Sequence, residues 1–356
     1  MNLEKYYTIA KETLQELIQI PSFSKEEKKV ADVMEKKLMG FGYKVYRKQN
    51  NVWAFSKDYQ EGRPTLLMNS HLDTVKPTGQ WNKDPFSPLV EEGRLYGLGS
   101  NDAGGCLVSL MAAFLALEEK PQEYNRLFVA SAEEEISGFN GFECVQEELG
   151  RIDVGIVGEP TLMEMAIAEK GLMVLDCYAK GKSGHAARNE GVNAISIALK
   201  DIEWINNYCF PKESDLLGPV KMSVTQIDAG HQHNVVPDLC KFVVDVRTNE
   251  KYSNQEVYDF VAQNLQSEAK ARSFRMNSSG IELEHPLIQA GLNLGMGYYG
   301  SPTTSDQAIM KGFPTLKLGP GDSARSHTAD EFIYLHEIKG GIEKYFELLN
   351  GLRLNI

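Results

Sequence analysis

Ionisable side chains stand at the ends of short apolar runs in this sequence. In the run LLMNSHLDTV, residues 66–75, the apolar beginning is followed by His71 and Asp73. Residues two apart in a strand point to the same face, so these two side chains are expected to stand side by side. The pair fits a strand that frays into a solvated loop, or a metal-binding imidazole whose ring is oriented by a carboxylate. Only the second interpretation requires further ligands elsewhere in the chain.

Further candidate ligands follow other predicted strands and turns. Asp102 lies in the glycine-rich turn YGLGSNDAGG, glutamates 133–135 follow RLFVASA, Glu159 follows GIVG, and His327 lies in ARSHTADEF. Taken singly, Asp102 could cap a helix, and the glutamates could be a solvated charge run or first-turn acids favoured by the helix dipole. Together they supply two imidazoles and at least three carboxylates, the donor set expected for a pair of zinc ions.

Strands and helices alternate around these residues. Strand-like runs occur at YKVYR, VWAF, TLLMNS, RLFVASA and DVGIVG, and helices are expected over 1–20, after Cys106 and near 138–149. This alternation predicts a three-layer α/β domain with a largely parallel sheet, in which ligands gather beyond the carboxyl ends of the strands. Ser24 and Glu27 have the spacing of a capping box ahead of the helix KKVADVMEKKLMG.

The pattern changes from about Gly171, where β-α-β-β-α order replaces the earlier alternation. We therefore expect a ferredoxin-like α+β insert at 172–285, which interrupts one α/β domain formed by 1–171 and 286–356. A chain of 356 residues is long enough for two such domains.

Composition excludes some classes of partner. The net charge of −12 argues against nucleic acid and an anionic membrane surface. The N-terminus is typical of an amphipathic helix rather than a signal peptide, and the apolar run 106–117 is too short to span a bilayer, so it predicts a buried helix. Five scattered cysteines without zinc-ribbon or redox-motif spacing predict reduced thiols in a cytoplasmic protein.

The ordered motifs SHLDTV, YGLGSNDAGG, SAEEE, VGEPT and SHTADE resemble the signature of the dizinc amidohydrolases. This is the family of acetylornithine deacetylase, succinyl-diaminopimelate desuccinylase, aminoacylase and glutamate carboxypeptidase. The resemblance covers essentially the whole chain. It implies a zinc-peptidase-like catalytic domain, an inserted dimerisation (lid) domain, a homodimer formed through that insert, and two zinc ions per subunit, for which cobalt can substitute.

The resemblance also implies roles for the motif residues. Asp73 would orient His71, and Glu134 would be the general base. The implied ligands of one zinc ion are His71, Asp102 and Glu159, and those of the other are Asp102, Glu135 and His327.

Four residues of the insert and its surroundings match substrate-binding positions of the family. His185 in GKSGHAAR matches a histidine that reaches the partner subunit's active site, where it would donate to an oxyanion. Asn234 in HNVVPD, Arg247 in VVDVR and Thr304 in PTTSD match positions near the substrate. Arg247 could bind the α-carboxylate of an acylated amino acid.

The expected reaction is hydrolysis of the amide bond of a small N-acyl amino acid. N-acetylornithine, an intermediate of arginine biosynthesis, is the first expected substrate, because the short chain and the plain Gly-Leu-Gly turn at 97–99 resemble that branch. Desuccinylation of succinyl-diaminopimelate, deacylation of acetylcitrulline or succinyl-ornithine, and dipeptidase or carboxypeptidase activity stay open. A metal-free binding protein on the same fold is the alternative from a different class. Retention of all five predicted ligands and of Glu134 argues against it.

Overall fold

The computed structural model describes residues 3–188 and 190–354, which form two compact units. The first contains the chain up to Ile167, Gly280–Tyr299 and the chain from Ser305 onward, and the second contains Ala168–Ser279 and Gly300–Thr304. The expected insert was 172–285. The main segment of the second unit begins four residues earlier, at Ala168, and ends six residues earlier, at Ser279. The unit also includes 300–304 because the backbone N–H of Lys170 donates to Ser301 O and the Thr304 hydroxyl donates to Lys170 O.

Eight α-helices occur in the described residues. They are α1 Leu3–Ile18, α2 Lys28–Gly40, α3 Gly105–Leu117, α4 Phe142–Val145, α5 Ala194–Asn207, α6 Asn254–Asn264, α7 Pro286–Asn293 and α8 Leu335–Leu349. The first eight strands are β1 Val45–Lys48, β2 Asn51–Phe55, β3 Thr65–His71, β4 Leu89–Glu91, β5 Arg94–Tyr96, β6 Asn125–Ser131, β7 Val154–Val157 and β8 Met165–Glu169. The remaining strands are β9 Gly171–Lys180, β10 Gly184–His185, β11 Lys221–Ala229, β12 Val235–Val236, β13 Leu239–Thr248, β14 Glu268–Ala271, β15 Ser279–Gly280, β16 Tyr298–Ser301, β17 Thr315–Lys317 and β18 Phe332–Tyr334.

A nine-stranded mixed sheet is the centre of the α/β fold. Its order is β1-β2-β6-β3-β7-β17-β8-β15, with β16 also paired to β8. The four central strands β6, β3, β7 and β17 are parallel, whereas β2 pairs with β6 in the antiparallel direction. Strand β3 is buried along its whole length, so both faces of the sheet are covered, as is usual for parallel strands.

Helix α3 is buried along its whole length and packs against α1 and α8. The segment Ser100–Leu117, which includes α3, is long and apolar enough to span a membrane by length and composition, and it is the single such segment within 3–188 and 190–354. It is longer than the apolar run 106–117 expected from the sequence. Because 89% of it is buried inside the protein, packing accounts for its apolar composition.

The second unit has a ferredoxin-like β-α-β-β-α-β core. Its sheet order is β11-β13-β9-β14, and every neighbouring pair is antiparallel. Buried and half-buried residues alternate along β9, and Leu175 and Cys177 belong to a hydrophobic core that also includes residues of α5 and α6. Helix α6 begins with a capping box formed by Ser253 and Glu256.

The capping box expected from Ser24 and Glu27 does not form. Glu27 is the N-cap residue of α2, but no side-chain hydrogen bond caps this helix. Glu27 Oε1 accepts instead from the backbone N–H of Lys25 (2.7 Å), and the Ser24 hydroxyl donates to Asp73 Oδ2 (2.7 Å). The prediction was wrong because Ser24 has a better acceptor, a buried carboxylate brought close by the tertiary fold.

Candidate metal centre

The parallel strands bring the predicted ligands to one edge of the large sheet. His71 ends β3 and pairs in register with Ser131, which ends β6, and glutamates 134 and 135 follow β6 directly. Strand β7 runs beside β3, with Asn69 opposite Val157, and Glu159 follows it. Since parallel strands end at the same edge, residues far apart in sequence meet there.

Asp102 lies between the two predicted imidazole ligands. His71 Nε2 is 3.3 Å from Asp102 Oδ1 and 3.8 Å from Glu159 Oε1. His327 Nε2 is 3.5 Å from Asp102 Oδ2 and 2.9 Å from Glu135 Oε2. Asp102 therefore presents one oxygen to each imidazole, the arrangement that a carboxylate bridging two ions requires.

Two sets of side chains could each hold a metal ion, with their ligand atoms within 4.8 Å of one another. One set joins His71 with Glu134 and Glu159, and the other joins His71 with Asp102 and Glu135. Neither set is the predicted division of ligands between two ions. In particular, Glu134, the predicted general base, lies close enough to be a ligand. The division between the ions, and the role of each residue, stay predictions.

Asp73 holds several parts of the cluster in place. Its carboxylate accepts from the backbone N–H groups of Glu134 (3.0 Å) and Glu135 (3.2 Å) and from the Ser24 hydroxyl. His71 Nδ1 lies 2.8 Å from the backbone oxygen of Asp73 and 3.5 Å from its Oδ1. Asp73 is 1% exposed, so the solvated-loop interpretation of the pair at 71 and 73 is wrong.

The negative charge of the surrounding carboxylates favours a bound proton or metal cation beside each imidazole. Burial opposes protonation of His71, but hydrogen bonds with Asp102 and Asp73 outweigh it, and the pKa of His71 lies well above its ordinary value. The hydrogen bond with Glu135 raises the pKa of His327 to about 9. The carboxylates thus attract protons to both rings.

The acids show the same excess of negative charge. Burial raises the pKa of Glu134 well above its usual range, and the charges of Glu159, Asp306 and Glu135 raise it further, against the lowering influence of His71. Burial also raises the pKa of Glu159 to about 8. Carboxylates crowded in this way are stabilised by divalent cations, and a donor set of imidazoles and carboxylates fits zinc. The residues therefore fit the predicted metal centre.

The three consecutive glutamates do not form a solvated run. Glu133 is 5% exposed, has a left-handed φ of 54°, and accepts from the side-chain amide (3.0 Å) and backbone N–H (3.3 Å) of Asn140. His327 is also left-handed, with a φ of 58°. Such conformations of residues other than glycine cluster at functional sites.

Glu331 is a buried acid beside the centre. No role was expected for it from the sequence. Its carboxylate accepts from the backbone N–H groups of Gly99 (3.1 Å), Asn101 (2.8 Å) and Asp102 (2.9 Å). Burial and the charge of Asp102 raise the pKa of Glu331 to about 8, while the three N–H groups favour its charged form. The signal that could have found it is its place in SHTADE, four residues after His327.

The predicted substrate-binding residues lie in the second unit, in two pairs. His185 is in β10, which pairs with β12, and Ala186 N–H donates to the backbone oxygen of Asn234 (3.1 Å). Arg247 Nη1 lies 3.4 Å from the Thr304 hydroxyl. The other edge of the Arg247 guanidinium is paired with both carboxylate oxygens of Asp245, at 2.8 and 3.0 Å.

Comparisons with known proteins identify the family. The model of peptidase family M20/M25/M40 matches residues 67–351. The chain belongs to this family. It is 22% identical to a succinyl-diaminopimelate desuccinylase of Orientia tsutsugamushi, over 95% of each chain, and 27% identical to an acetylornithine deacetylase of Proteus mirabilis, over 82% of this chain and 81% of the relative. Its fold matches the aminopeptidase PepT of Bacillus cereus with a TM-score of 0.78 and 20% identity, over 97% of this chain and 98% of that one.

Family membership confirms the resemblance recognised in the sequence and the α/β fold with its inserted α+β domain. It also confirms that the protein is a hydrolase of amide bonds, the chemistry of this peptidase family.

Proposed function

We propose that this protein is a metal-dependent hydrolase that removes the acyl group from a small N-acyl amino acid. The observation that carries the proposal is Asp102, whose two carboxylate oxygens face the imidazoles of His71 and His327 at 3.3 and 3.5 Å. The named activities of the desuccinylase and deacetylase relatives support the substrate class.

Two zinc ions, for which cobalt can substitute, are proposed at this centre, with the ligands His71, Asp102, Glu135, Glu159 and His327. When bound, such ions polarise a carbonyl group and make water acidic near neutral pH. In this proposal Glu134 takes a proton from water and returns it to the departing amine.

His185 is the proposed oxyanion donor. Its Nδ1 accepts from the backbone N–H of Ala187 (3.1 Å). A neutral ring that accepts at Nδ1 carries its hydrogen on Nε2, which leaves Nε2–H free to donate. Asn234, Arg247 and Thr304 are proposed to bind the rest of the substrate.

N-acetylornithine is the first proposed substrate, with a place in arginine biosynthesis. Desuccinylation is the second candidate, and a cluster of positive charge in the second unit favours it. Lys221 and Arg247 are cross-strand partners in β11 and β13, and their charges lower the pKa of the buried Lys170, after the larger effect of burial. Such a cluster would bind a substrate with additional carboxylates.

A substrate panel with and without metal tests the proposal. The protein, stripped by exhaustive chelation, is expected to lose hydrolysis of N-acetyl and N-succinyl amino acids and to regain it with Zn²⁺ or Co²⁺, but not with Ca²⁺, which prefers all-oxygen sites. Full activity after metal removal would overturn the metal-dependent mechanism. The ratio of kcat/KM for N-acetylornithine and succinyl-diaminopimelate decides between the two candidates.

A cytoplasmic homodimer joined through the inserted domain is proposed for the whole protein. The edge strand β11 supports the dimer, because an open edge can pair with a second copy of the chain. The cysteine pattern supports the proposed cytoplasmic location, since all five cysteines are free thiols.

A further inference from the structure

The small three-stranded sheet brings Glu331 to the loop that carries Asp102. Its order is β18-β5-β4, and β18 pairs with β5 in the antiparallel direction, with Phe332 opposite Tyr96. The residue before β18 is Glu331, and the residue after β5 is Gly97, whose backbone N–H donates to Glu331 O (3.0 Å). Strand pairing therefore fixes the backbone of Glu331 beside the beginning of the 97–102 loop.

The loop then wraps around the side chain of Glu331. Gly99 has a left-handed φ of 73°, which turns the loop so that the N–H groups of Gly99, Asn101 and Asp102 point toward Glu331. One carboxylate oxygen of Glu331 accepts from the N–H of Gly99, and the other accepts from those of Asn101 and Asp102. Glu331 is 2% exposed, so water cannot readily replace these bonds.

The last of these bonds acts on Asp102 itself. Asp102 is the residue whose carboxylate faces both imidazoles, and the position of its Cα and side chain depends on how its backbone is held. Because Glu331 binds the backbone N–H of Asp102 directly, a change in its carboxylate is expected to shift the two oxygens that Asp102 presents to the centre. Residues that orient metal ligands in this way typically change metal affinity or activity 10–100-fold when altered.

We propose that Glu331 is a positioning residue for the metal centre, which fixes Asp102 in the bridging position by binding the backbone N–H groups of Gly99, Asn101 and Asp102. This inference rests on the proposed function, because it assumes that Asp102 binds divalent cations. Glu331 touches no substrate or reacting atom in this assignment, and it acts through Asp102.

Glu331→Gln is the decisive variant. It keeps the shape of the side chain, but only one of its two terminal atoms, the amide oxygen, can accept a hydrogen bond. The amide group must then face at least one of the three N–H donors. Glu331→Asp keeps the charge and shortens the reach. The matched control is the neighbouring Asp330→Asn. Its carboxylate also accepts three hydrogen bonds, from the backbone and side-chain N–H groups of Asn82 and the backbone N–H of Lys83, all away from the predicted ligands.

The measurement is metal binding by the stripped full-length proteins, independent of any substrate. Titration calorimetry with Zn²⁺ gives the dissociation constants, and the visible absorption of the Co²⁺-loaded proteins reports the ligand arrangement. Glu331→Gln is expected to raise at least one dissociation constant by about 10–100-fold and to change the Co²⁺ spectrum. Glu331→Asp is expected to fall between Glu331→Gln and the wild type, and Asp330→Asn is expected to match the wild type.

The outcomes separate the inference from the proposed function. A wild-type protein that binds no divalent ion overturns the proposed function. A wild type that binds metal, together with a folded Glu331→Gln variant of equal affinity and spectrum, overturns the inference alone. Thermal unfolding of the metal-free proteins shows which variants fold. If Glu331→Gln does not fold, the metal affinity of Glu331→Asp tests the inference instead. If neither folds, Glu331 maintains the fold rather than the centre, and the inference is wrong.

Discussion

Asp73 shows how one buried carboxylate can organise several neighbours. It binds the backbone of both Glu134 and Glu135 and accepts the Ser24 hydroxyl, and its own backbone oxygen lies against His71. The predicted general base and two predicted ligands are therefore held by one residue that is itself almost fully buried. Removing its charge disturbs all of them at once.

We predict that Asp73→Asn weakens metal binding or activity about 10–100-fold. The amide nitrogen of asparagine would face the N–H of Glu134 or Glu135, so one of these bonds is lost. Ser24→Ala is the milder comparison, because it removes one hydrogen bond to Asp73 and leaves both backbone bonds intact. Calorimetric metal titration of the two variants checks that Asp73→Asn loses more metal affinity than Ser24→Ala. An Asp73→Asn protein with wild-type affinity and turnover would limit Asp73 to a local structural role.

Glu134 has two possible roles that a single variant separates. The resemblance makes it the general base, whereas its position near His71 and Glu159 would also allow it to bind metal. We predict that Glu134→Gln retains two metal ions per subunit and loses at least ~10²-fold in kcat, the lower end of general-base contributions. Metal content measured beside turnover distinguishes the roles, since loss of an ion would make Glu134 a ligand.

The exposed Glu164→Gln is the matched control for this substitution, and its turnover and metal content are expected to equal those of the wild type. Near-normal turnover of Glu134→Gln would place the base elsewhere. Glu133 is a poor substitute, because its carboxylate is buried and bonded to Asn140.

At the scale of residues, the sequence indicated the candidate ligands because each follows a strand or lies in a distinctive turn, and their role as ligands stays a prediction. It did not predict the partners that hold them. Ser24 looked like a helix cap because local spacing does not reveal a distant acceptor such as Asp73. Glu331 had no expected role, since its burial depends on the loop at 97–102, more than two hundred residues earlier in the chain.

At the scale of elements, parallel strand pairing creates the centre. Each of the strands β3, β6 and β7 carries its polar residues past the carboxyl end, and their shared direction makes those ends coincide. Alternation of strands and helices predicted a largely parallel sheet, which is correct for the four central strands but not for the antiparallel pairs β1–β2, β2–β6 and β17–β8. The pairing of β18 with β5 was not predictable, because both strands have three residues and belong to distant parts of the chain.

A capping box forms at α6, where no distant partner among the described residues competes for the capping side chains. In α6 the Ser253 side chain accepts from the backbone N–H of Glu256, and the Glu256 side chain accepts from that of Ser253. We predict that Ser253→Ala lowers the free energy of unfolding of the second unit by about 0.5–2 kcal/mol, because the first turn loses an acceptor. Denaturant titration measures this loss.

The control for this prediction is Gln255→Ala in the same first turn, whose side chain bonds Asp259 one turn later on the exposed surface. Alanine at that position is expected to change stability by much less, because an exposed pair four residues apart contributes only about 0.2–0.5 kcal/mol. Equal losses from the two variants would contradict a specific contribution of the cap. Metal affinity is expected to stay unchanged in both.

At the scale of the whole molecule, the two units divide the predicted functions between them. The first contains all the predicted metal ligands, and the second contains His185, Asn234, Arg247 and Thr304. The change from α/β to α+β pattern is visible along the chain and predicts an insert at 172–285, whereas the main segment of the second unit is Ala168–Ser279. The segment 300–304 was not predictable, because tertiary hydrogen bonds, such as those of Lys170 with Ser301 and Thr304, join it to the second unit.

The proposed dimer gives the second unit a way to complete a partner's site. His185 is exposed on the short strand β10, and the resemblance implies that it reaches the active site of the other subunit. In that case His185→Ala and Glu134→Ala damage the same site when the two variants form a mixed dimer. One site receives both lesions, and the other receives neither.

We therefore predict that two inactive variants, His185→Ala and Glu134→Ala, regain activity when their subunits exchange. Each pure variant should be inactive, because both of its sites carry a lesion. Random mixing of equal amounts gives mixed dimers, each with one intact site, so up to about a quarter of the wild-type activity should return. Subunit exchange is followed by mass spectrometry of differently tagged chains, and a mixture of Glu134→Ala with the double variant controls for nonspecific recovery. If exchange is complete and no activity returns, His185 acts within its own chain or has no part in the reaction.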